Sequence, residues 1–485
     1  MIRLVKNELI KIFHKKAIYV LGIIILLFGC LNVVIAKFVD SIDNLFENDQ
    51  YYGLIEDSLG NYDLKNPEEA QWYIEDKTSV EVYKIAKEYD VDSWQYTMIS
   101  NEGYEHILCM NRAEFITKND EEYAQCKTDY EKFLEDIKSK DWKDYVIEEK
   151  KVVEQEIAMY KEQLQYLTDE NDKSKIEKDI ERLNYVVDGY NYRLKYDTPT
   201  NNSQQSLLID AYVSSAHSYM DYNKDEESYI DRDELLAKRD AEQMFYVAKY
   251  KLENGIEAKS LFAANDSVIT EFSVPILFVI VAIAMIAGSI VSDEYSKGTI
   301  KQLLLRPFSR SKILMSKYIA CLIMFVLFLV FYGLVSALTY GLGAGFDTLF
   351  DPNVIYNFNT HTAVEMNLIV VIFYQLLALL PEYLIILTVA FFISTVVGST
   401  ALAVTVSMLM YVFSSVVNSL IMNFNVKILK YFPTMCWDFS EYLFGGIPSF
   451  KYASFWPSVV VCVLTFALLI FLTFVLFKKK NIKNQ

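Results

Sequence analysis

The sequence predicts an all-α membrane protein: six transmembrane helices and a large, mainly helical extracellular domain containing a coiled-coil hairpin. Three observations carry this expectation. Six stretches, at 17–36, 272–292, 318–343, 366–396, 399–422 and 455–477, hold almost no charge, and each has the length a helix needs to cross about 30 Å of hydrocarbon. Charge is strongly segregated. Residues 37–270 hold 28 Lys and Arg against 53 Asp and Glu, a net of −25, while the remainder holds 18 against 10. Finally, basic residues recur at alternate ends of the spans, as a consistent in–out threading requires.

The elements follow in chain order. Residues 1–16 read as an amphipathic interfacial helix, with Ile2, Val5, Leu9 and Ile12 on one face and Arg3, Lys6, Asn7 and Lys11 elsewhere. Residues 17–36 form the first span. They end Val34-Ile35-Ala36-Lys37 without a clear small-x-small cleavage site, so a retained signal anchor is expected. The basic groups Arg3 to Lys16, Lys297 to Lys317 and Lys478 to Lys483 then all face the cytoplasm, with both termini inside. The 478–485 stretch is a basic tail, and the Lys-, Ile-, Asn- and Tyr-rich usage points to the plasma membrane of a Gram-positive bacterium.

The 37–270 segment reads as a separate acidic domain outside the membrane. Val146, Val153, Ile157, Tyr160, Leu164 and Leu167 follow seven-, four- and three-residue steps. Ile176, Ile180, Leu183, Val187, Tyr190 and Leu194 resume them after the polar break at Thr168-Asp169-Glu170-Asn171-Asp172. That is a heptad hairpin over 146–194, with arms of about 30 Å. Further helices are expected near 77–89, 128–145, 205–220 and 231–254. Cys109 and Cys126 share this domain and are free either to pair or to stay reduced; only the compartment argues for pairing. Cys30, Cys321 and Cys462 lie in spans and act as small hydrophobes. An acidic surface of this size gathers cationic ligands, so an extracellular peptide or protein partner is expected.

In the C-terminal half, 271–477, five spans follow. The fourth and fifth are joined only by Val397-Gly398-Ser399-Thr400, a helical hairpin. Lys427 to Tyr442, aromatic and broken by Pro433, suits an interfacial or partly re-entrant element. Glu382 stands alone among the spans as an acidic or basic residue, beside Pro381. A mid-span carboxylate is expensive and faces the protein interior. Two readings are weighed: a structural hydrogen bond or a break in the span, toward which the residue types lean, and a functional group.

Catalytic motifs are missing. There is no Gly-x-x-x-x-Gly-Lys-Ser/Thr phosphate loop, no Gly-x-Ser-x-Gly elbow, no metal spacing of cysteines, and the four histidines are scattered. No catalytic residue, metal site or bound cofactor is therefore expected on this chain, and chemical energy must come from a partner.

One stretch is more specific. Between the second and third spans, in the loop 293–317, the chain reads EYSKGTIKQLLLRPFSRSKILMSKYI from Glu294. Gly298 is placed to cap the second span in a left-handed conformation. Thr299 is placed to start a short helix from Ile300 to Leu305, Pro307 to end it, and Ser309 or Ser311 to start the next. This string resembles the signature of type-2 ABC exporter permeases, the membrane subunits with the type V exporter fold. In that family an acidic residue, a Gly-Thr step, a Leu-rich turn, an Arg-Pro-x-Ser-Arg corner and a downstream Lys occur in this order. The opening Lys6-Asn7-Glu8-Leu9-Ile10-Lys11-Ile12 resembles the family's start. The likeness covers roughly residues 1–40 and 265–485, whereas the long insert between is larger than a minimal member carries.

The resemblance implies that Glu294, Gly298, Thr299, Arg306, Pro307 and Arg310 belong to a coupling element docking an ABC ATP-binding subunit. ATP and Mg would be held by that subunit, and a second permease chain, identical or not, would complete the pathway. Expected cargo is an antimicrobial peptide, a drug or a lipid. The alternative is a membrane scaffold or receptor component of a secretion system with no dedicated ATPase.

Overall fold

The computed structural model describes residues 1–43, 48–201, 203–222, 232–256, 273–299, 308–344, 346, 352–424 and 426–479. The chain divides into two compact units, residues 1–37 with 261–485, and residues 38–260.

Among the described residues, six helices are long and apolar enough to cross a membrane. Helix α1, Ile2–Phe13, precedes α2, Lys16–Asp43. After the second unit come α11, Ser273–Ser296, and α12, Arg310–Ala344. Helix α12 starts earlier than the uncharged run at 318 suggests, because the Ser309 hydroxyl accepts from the Lys312 amide at 3.4 Å and caps a turn that still carries lysines. Next are strands β1, Pro352–Asn357, and β2, Thr362–Asn367, then α13, Leu368–Val397, and α14, Thr400–Phe424. The one-turn α15, Pro433–Cys436, and the long α16, Phe455–Lys479, complete the unit.

The antiparallel pair β1–β2, in register Pro352 with Asn367 through Asn357 with Thr362, departs from the all-α expectation. Val354, Ile355 and Tyr356 are all buried, so β1 is covered on both faces, and the Phe358 amide donates to the Phe444 carbonyl at 2.8 Å. The segment therefore pairs as strands because tertiary contacts bury it.

Helix α11 is the centre of this unit. Val279, Ile280, Ala282, Ile283, Ala284, Ile286, Ala287, Ile290 and Val291 are all buried, on every side of the helix, which is how a helix apolar all round resolves its pattern. It packs on α13 through Tyr383, Ile386, Leu387, Ala390 and Phe391, and on α12 through Leu314, Tyr318, Cys321 and Met324. Near its end the Ser292 amide donates to Ser394 Oγ at 3.1 Å and its hydroxyl meets Thr400 Oγ1 at 2.5 Å. These bonds tie α11 to the α13–α14 turn, where Gly398 takes φ +78°. By contrast, α14 and α16 turn apolar faces outward, including Leu409, Val412, Val416, Val463, Leu464 and Leu468.

The second unit is helical. It comprises α3, Asn48–Ser58; α4, Pro67–Ala86; α5, Trp94–Arg112; α6, Asp120–Ser139; α7, Trp142–Tyr166; α8, Glu170–Lys195; α9, Gln204–Asp221; and α10, Arg232–Asn254. Helices α3 and α5 were not expected from the pattern. The expected 128–145 helix is two, because Lys140 is extended and the Asp141 side chain accepts from the Trp142 amide as an N-cap. Helices α7 and α8 form a hairpin broken where expected, with Asp169 capping α8, and the heptad positions from Val146 to Leu194 are buried or half-buried.

Two cores hold this unit. One joins Val82, Ala86, Met98, Ile99, Ile107, Phe133, Ile137 and Tyr145. The other is aromatic, with Tyr212 and Phe245 stacked at 5.6 Å between ring centroids and Tyr185 and Tyr219 packed around them. Arg193 is buried yet satisfied: it donates to the Pro199 carbonyl at 3.1 Å, to Ser206 Oγ at 2.9 Å, and to Asp210. Cys109 of α5 and Cys126 of α6 are joined by a disulfide, Cα atoms 5.9 Å apart.

With cores of its own, the isolated 38–260 segment is expected to be helical by circular dichroism and to melt cooperatively. Ile99, fully buried, is the sharper probe: Ile99→Ala should lower its unfolding free energy by about 2–5 kcal/mol in urea titration. A disordered spectrum of the wild-type segment would refute its autonomy.

Candidate functional site

The first site is an ionic node on the helix ends that flank the 300–307 segment. Lys317, two turns into α12, is only 2% exposed. Its ammonium donates to Glu8 Oε2 at 2.8 Å, to Glu294 Oε1 at 2.7 Å and to the Ile290 carbonyl at 3.1 Å. Three donors thus meet three acceptors, from α1 and α11. Lys11 adds contacts of 3.0 Å to Glu8 Oε1 and 3.1 Å to Glu294 Oε1. Beside it, Lys15 binds Asp293 Oδ2 at 2.6 Å and Ser289 Oγ at 2.7 Å. Two carboxylates face two ammoniums in the inner set, so the charge balances, the condition under which buried ions are tolerated.

Glu8 shows what the node does to its members. Burial pushes its carboxyl pKa up, but Lys317 and then Lys11 outweigh that and hold it below the usual carboxylate range. Lys11 is moved the other way. Partial burial pushes its pKa down, and the bonds and charges of Glu8 and Glu294 overcome this and raise it.

Of the residues singled out in the loop, Glu294 is buried at 8% exposure inside this node, where it ties α11 to α1 and α12. Gly298 ends the helical run with φ +66° at an exposed turn, as its type suggests. Thr299 is exposed, and Arg310, also exposed, donates to the Lys478 carbonyl at 3.3 Å. Arg306, Pro307 and the short helix expected at 300–305 lie outside the described residues. The sequence reading missed Glu8, Lys317, Lys15 and Asp293 as a set. One signal was available: Glu8 shares the buried α1 face with Val5 and Ile12, whereas Ile2, assigned to that face, is 85% exposed. A carboxylate on the apolar side of a short helix calls for a buried cation.

The second site lies on α13. Pro381 lies inside that helix, which continues through it, and cannot donate to the Leu377 carbonyl. One residue on, the Ala378 carbonyl accepts from the Phe439 amide at 3.3 Å, so the chain after α15 docks on this turn. Behind the junction is a cavity of about 750 Å³ between α11, α12, α13, α14 and the 437–440 segment. Glu382 lines it, 8% exposed, and makes no hydrogen bond among the described residues. A separate cavity of about 520 Å³ is lined by Pro381, Leu384, Phe439, Phe455 and other apolar side chains. Among the described residues no three His, Cys, Asp or Glu side chains converge as metal ligands.

The node is testable. Lys317→Met leaves two buried carboxylates without their shared cation and should cost about 3–5 kcal/mol in denaturant unfolding of the purified chain. Adding Glu8→Gln to it should recover part of the loss, since one uncompensated charge is removed. A cost below about 0.5 kcal/mol, the range of ordinary surface changes, would mean the node carries no load. The pH dependence has a defined sign. The folded pKa of Glu8 is below its free value of 4.5, so its contribution is fully present above that pH and disappears as the pH falls through the lower folded value. Acid unfolding of Glu8→Gln should be correspondingly shallower below about pH 4.5.

Three comparisons place the chain among known proteins. The family model described as protein of unknown function, DUF2705, matches residues 235–483, a region that takes in α11 to α16 and most of α10. The uncharacterized protein YhcI of Bacillus subtilis strain 168 is 30% identical over 238 residues, 48% of this chain and 74% of its own length. No solved structure matches the chain. The family match spans half of the sequence and contains both candidate sites except for Glu8, Lys11 and Lys15 of the node, and the chain belongs to the DUF2705 family.

Proposed function

We propose that this chain is the membrane-spanning permease subunit of an ATP-driven ABC exporter. A separate ATP-binding subunit docks at the turn between α11 and α12 and carries out the hydrolysis. One observation carries the reading: the ionic node locks together the two helix ends that flank that turn, and adds α1 to them. A push on residues 300–307 is then delivered to α11 through Glu294, to α12 through Lys317, and to α1 through Glu8, as one body. The Ser292 bonds pass the displacement on to the α13–α14 turn.

Supporting features agree with this threading. The basic ends of α1, α12 and α16 lie in the cytoplasm, and the acidic 38–260 unit lies outside, where a disulfide such as Cys109–Cys126 persists. The outward apolar faces of α14 and α16 are covered by lipid or by a second permease chain, identical or related. In this reading the chain forms the pathway and holds no nucleotide; ATP and Mg belong to the partner. The acidic external unit concentrates cationic cargo near the exit.

The test is co-expression with the ATP-binding subunit encoded by a neighbouring reading frame. Reversing one charge at a buried interface costs about 2–5 kcal/mol. Arg306→Glu is therefore expected to insert normally, lose co-purification of that subunit and abolish stimulated ATP hydrolysis in proteoliposomes. Full co-purification and stimulation would overturn the docking role. Absence of any ATP-binding subunit from the purified wild-type complex would favour a scaffold.

A further inference from the structure

We infer that the cavity beside α13 is a binding site for a hydrophobic organic cation, with Glu382 as the charge partner. The inference deepens the exporter reading, on which its role in transport rests, by naming the chemical class of cargo.

The argument begins with charge. The walls of the cavity carry two carboxylates, Glu382 and Asp438, and no Lys or Arg. Asp438 is partly satisfied, since its Oδ1 accepts from the Ser440 amide at 2.8 Å and from the Ser440 hydroxyl at 2.6 Å. Glu382 has neither arrangement: it is more than nine-tenths buried and no described group donates to it. A carboxylate without a donor at this depth is costly in its charged form, and either a proton or a bound cation relieves that cost. The node on the same bundle shows the contrast, for there each buried carboxylate has its lysine.

Size and wall chemistry then choose among cations. A space of about 750 Å³ far exceeds a dehydrated metal ion, and three convergent metal-type ligands are not found among the described residues. The remaining walls carry no charge: Tyr332, Tyr383, Tyr411 and Trp437, with Leu379 and Val412, give aromatic and apolar faces, and Gln375, Ser414, Ser415, Asn418 and Ser440 add neutral polar ones. Aromatic faces attract organic cations, more strongly where water is excluded, and apolar walls suit the body such a cation carries. A carboxylate set in an aromatic chamber therefore selects for a positive charge on a hydrophobic frame. An anion of the same shape is repelled by both carboxylates, so the site discriminates by sign as well as by size.

The experiment uses the full chain in phosphatidylcholine nanodiscs, without any ATP-binding subunit, and empty nanodiscs as the blank. The probes are tetraphenylphosphonium and tetraphenylborate, nearly equal in shape and opposite in charge. Saturable binding of tetraphenylphosphonium alone is expected, weakened about tenfold or more by Glu382→Gln, the scale of one desolvated charge contact. Asp438→Asn should weaken it less, as that carboxylate is already hydrogen-bonded. Equal binding of both probes, or none above the blank, would overturn the inference, and so would unchanged affinity in Glu382→Gln. Should Glu382→Gln fail to fold, the wild-type comparison of the two probes decides alone. Because no ATPase is present, failure here is distinct from failure of docking: Arg306→Glu tests the exporter reading, and probe binding tests the site.

Discussion

Everything at the basic end of the membrane unit depends on where one ammonium group is put. Lys317 lies two turns inside α12, among the buried residues Leu314, Ser316, Tyr318, Ala320 and Cys321. The cost of stripping water from it is offset only if its three protons reach acceptors at bonding distance. Those acceptors come from two other helices, Glu8 on α1 and Glu294 and the Ile290 carbonyl on α11. A slip of one residue in any of the three helices would leave a charge stranded. The node therefore sets their relative register more sharply than apolar packing does, because Leu and Ile side chains tolerate small shifts and a buried ion pair does not.

The same bundle treats its polar groups in two ways. At the node, charge is neutralised within the chain, and the result is a rigid junction. Along α13, Pro381 removes one donor from the helical ladder and the Phe439 amide donates to the Ala378 carbonyl, while Glu382 lines the cavity with no donor among the described residues. A group satisfied at home holds structure together; a group left unsatisfied is poised for something that arrives. Helix α11 connects the two, with its end in the node and Leu277 in the cavity wall.

The 38–260 unit is stabilised separately, by an aliphatic core and an aromatic one, and its acidic excess stays on the surface. The family match begins at residue 235, so most of this unit lies outside what the family model describes. Its helices are set by strong caps, Asn66, Ser93, Asn119, Asp141, Asp169 and Ser203, each with a side-chain bond to its own first turn. Local chemistry thus places its breaks, and packing selects which tyrosines are buried.

Hydrophobic runs, heptad steps and turn residues were enough on their own to define the six long apolar helices, the α7–α8 hairpin, the glycine turns at Gly298 and Gly398, and the separateness of the acidic insert. Each is a local property, since helix formation and the demand for φ > 0 depend on neighbours within a few residues. Helix α5 escaped because its buried face, Trp94, Met98, Ile99, Gly103, Ile107 and Asn111, places Gly103 and Asn111 where apolar residues would mark the period, and α3 has only exposed and half-buried positions among its described side chains. The β1–β2 pair escaped because a strand's face is defined by what covers it. The node and the cavity were beyond the sequence for a deeper reason. Glu8 and Lys317 are 309 residues apart, and nothing in the spacing of either says that they meet. Likewise, Glu382 announced itself as an expensive carboxylate in a span, but that it lines a chamber was decided only when α11, α12 and α14 packed around α13 and the 437–440 segment came to rest beside it.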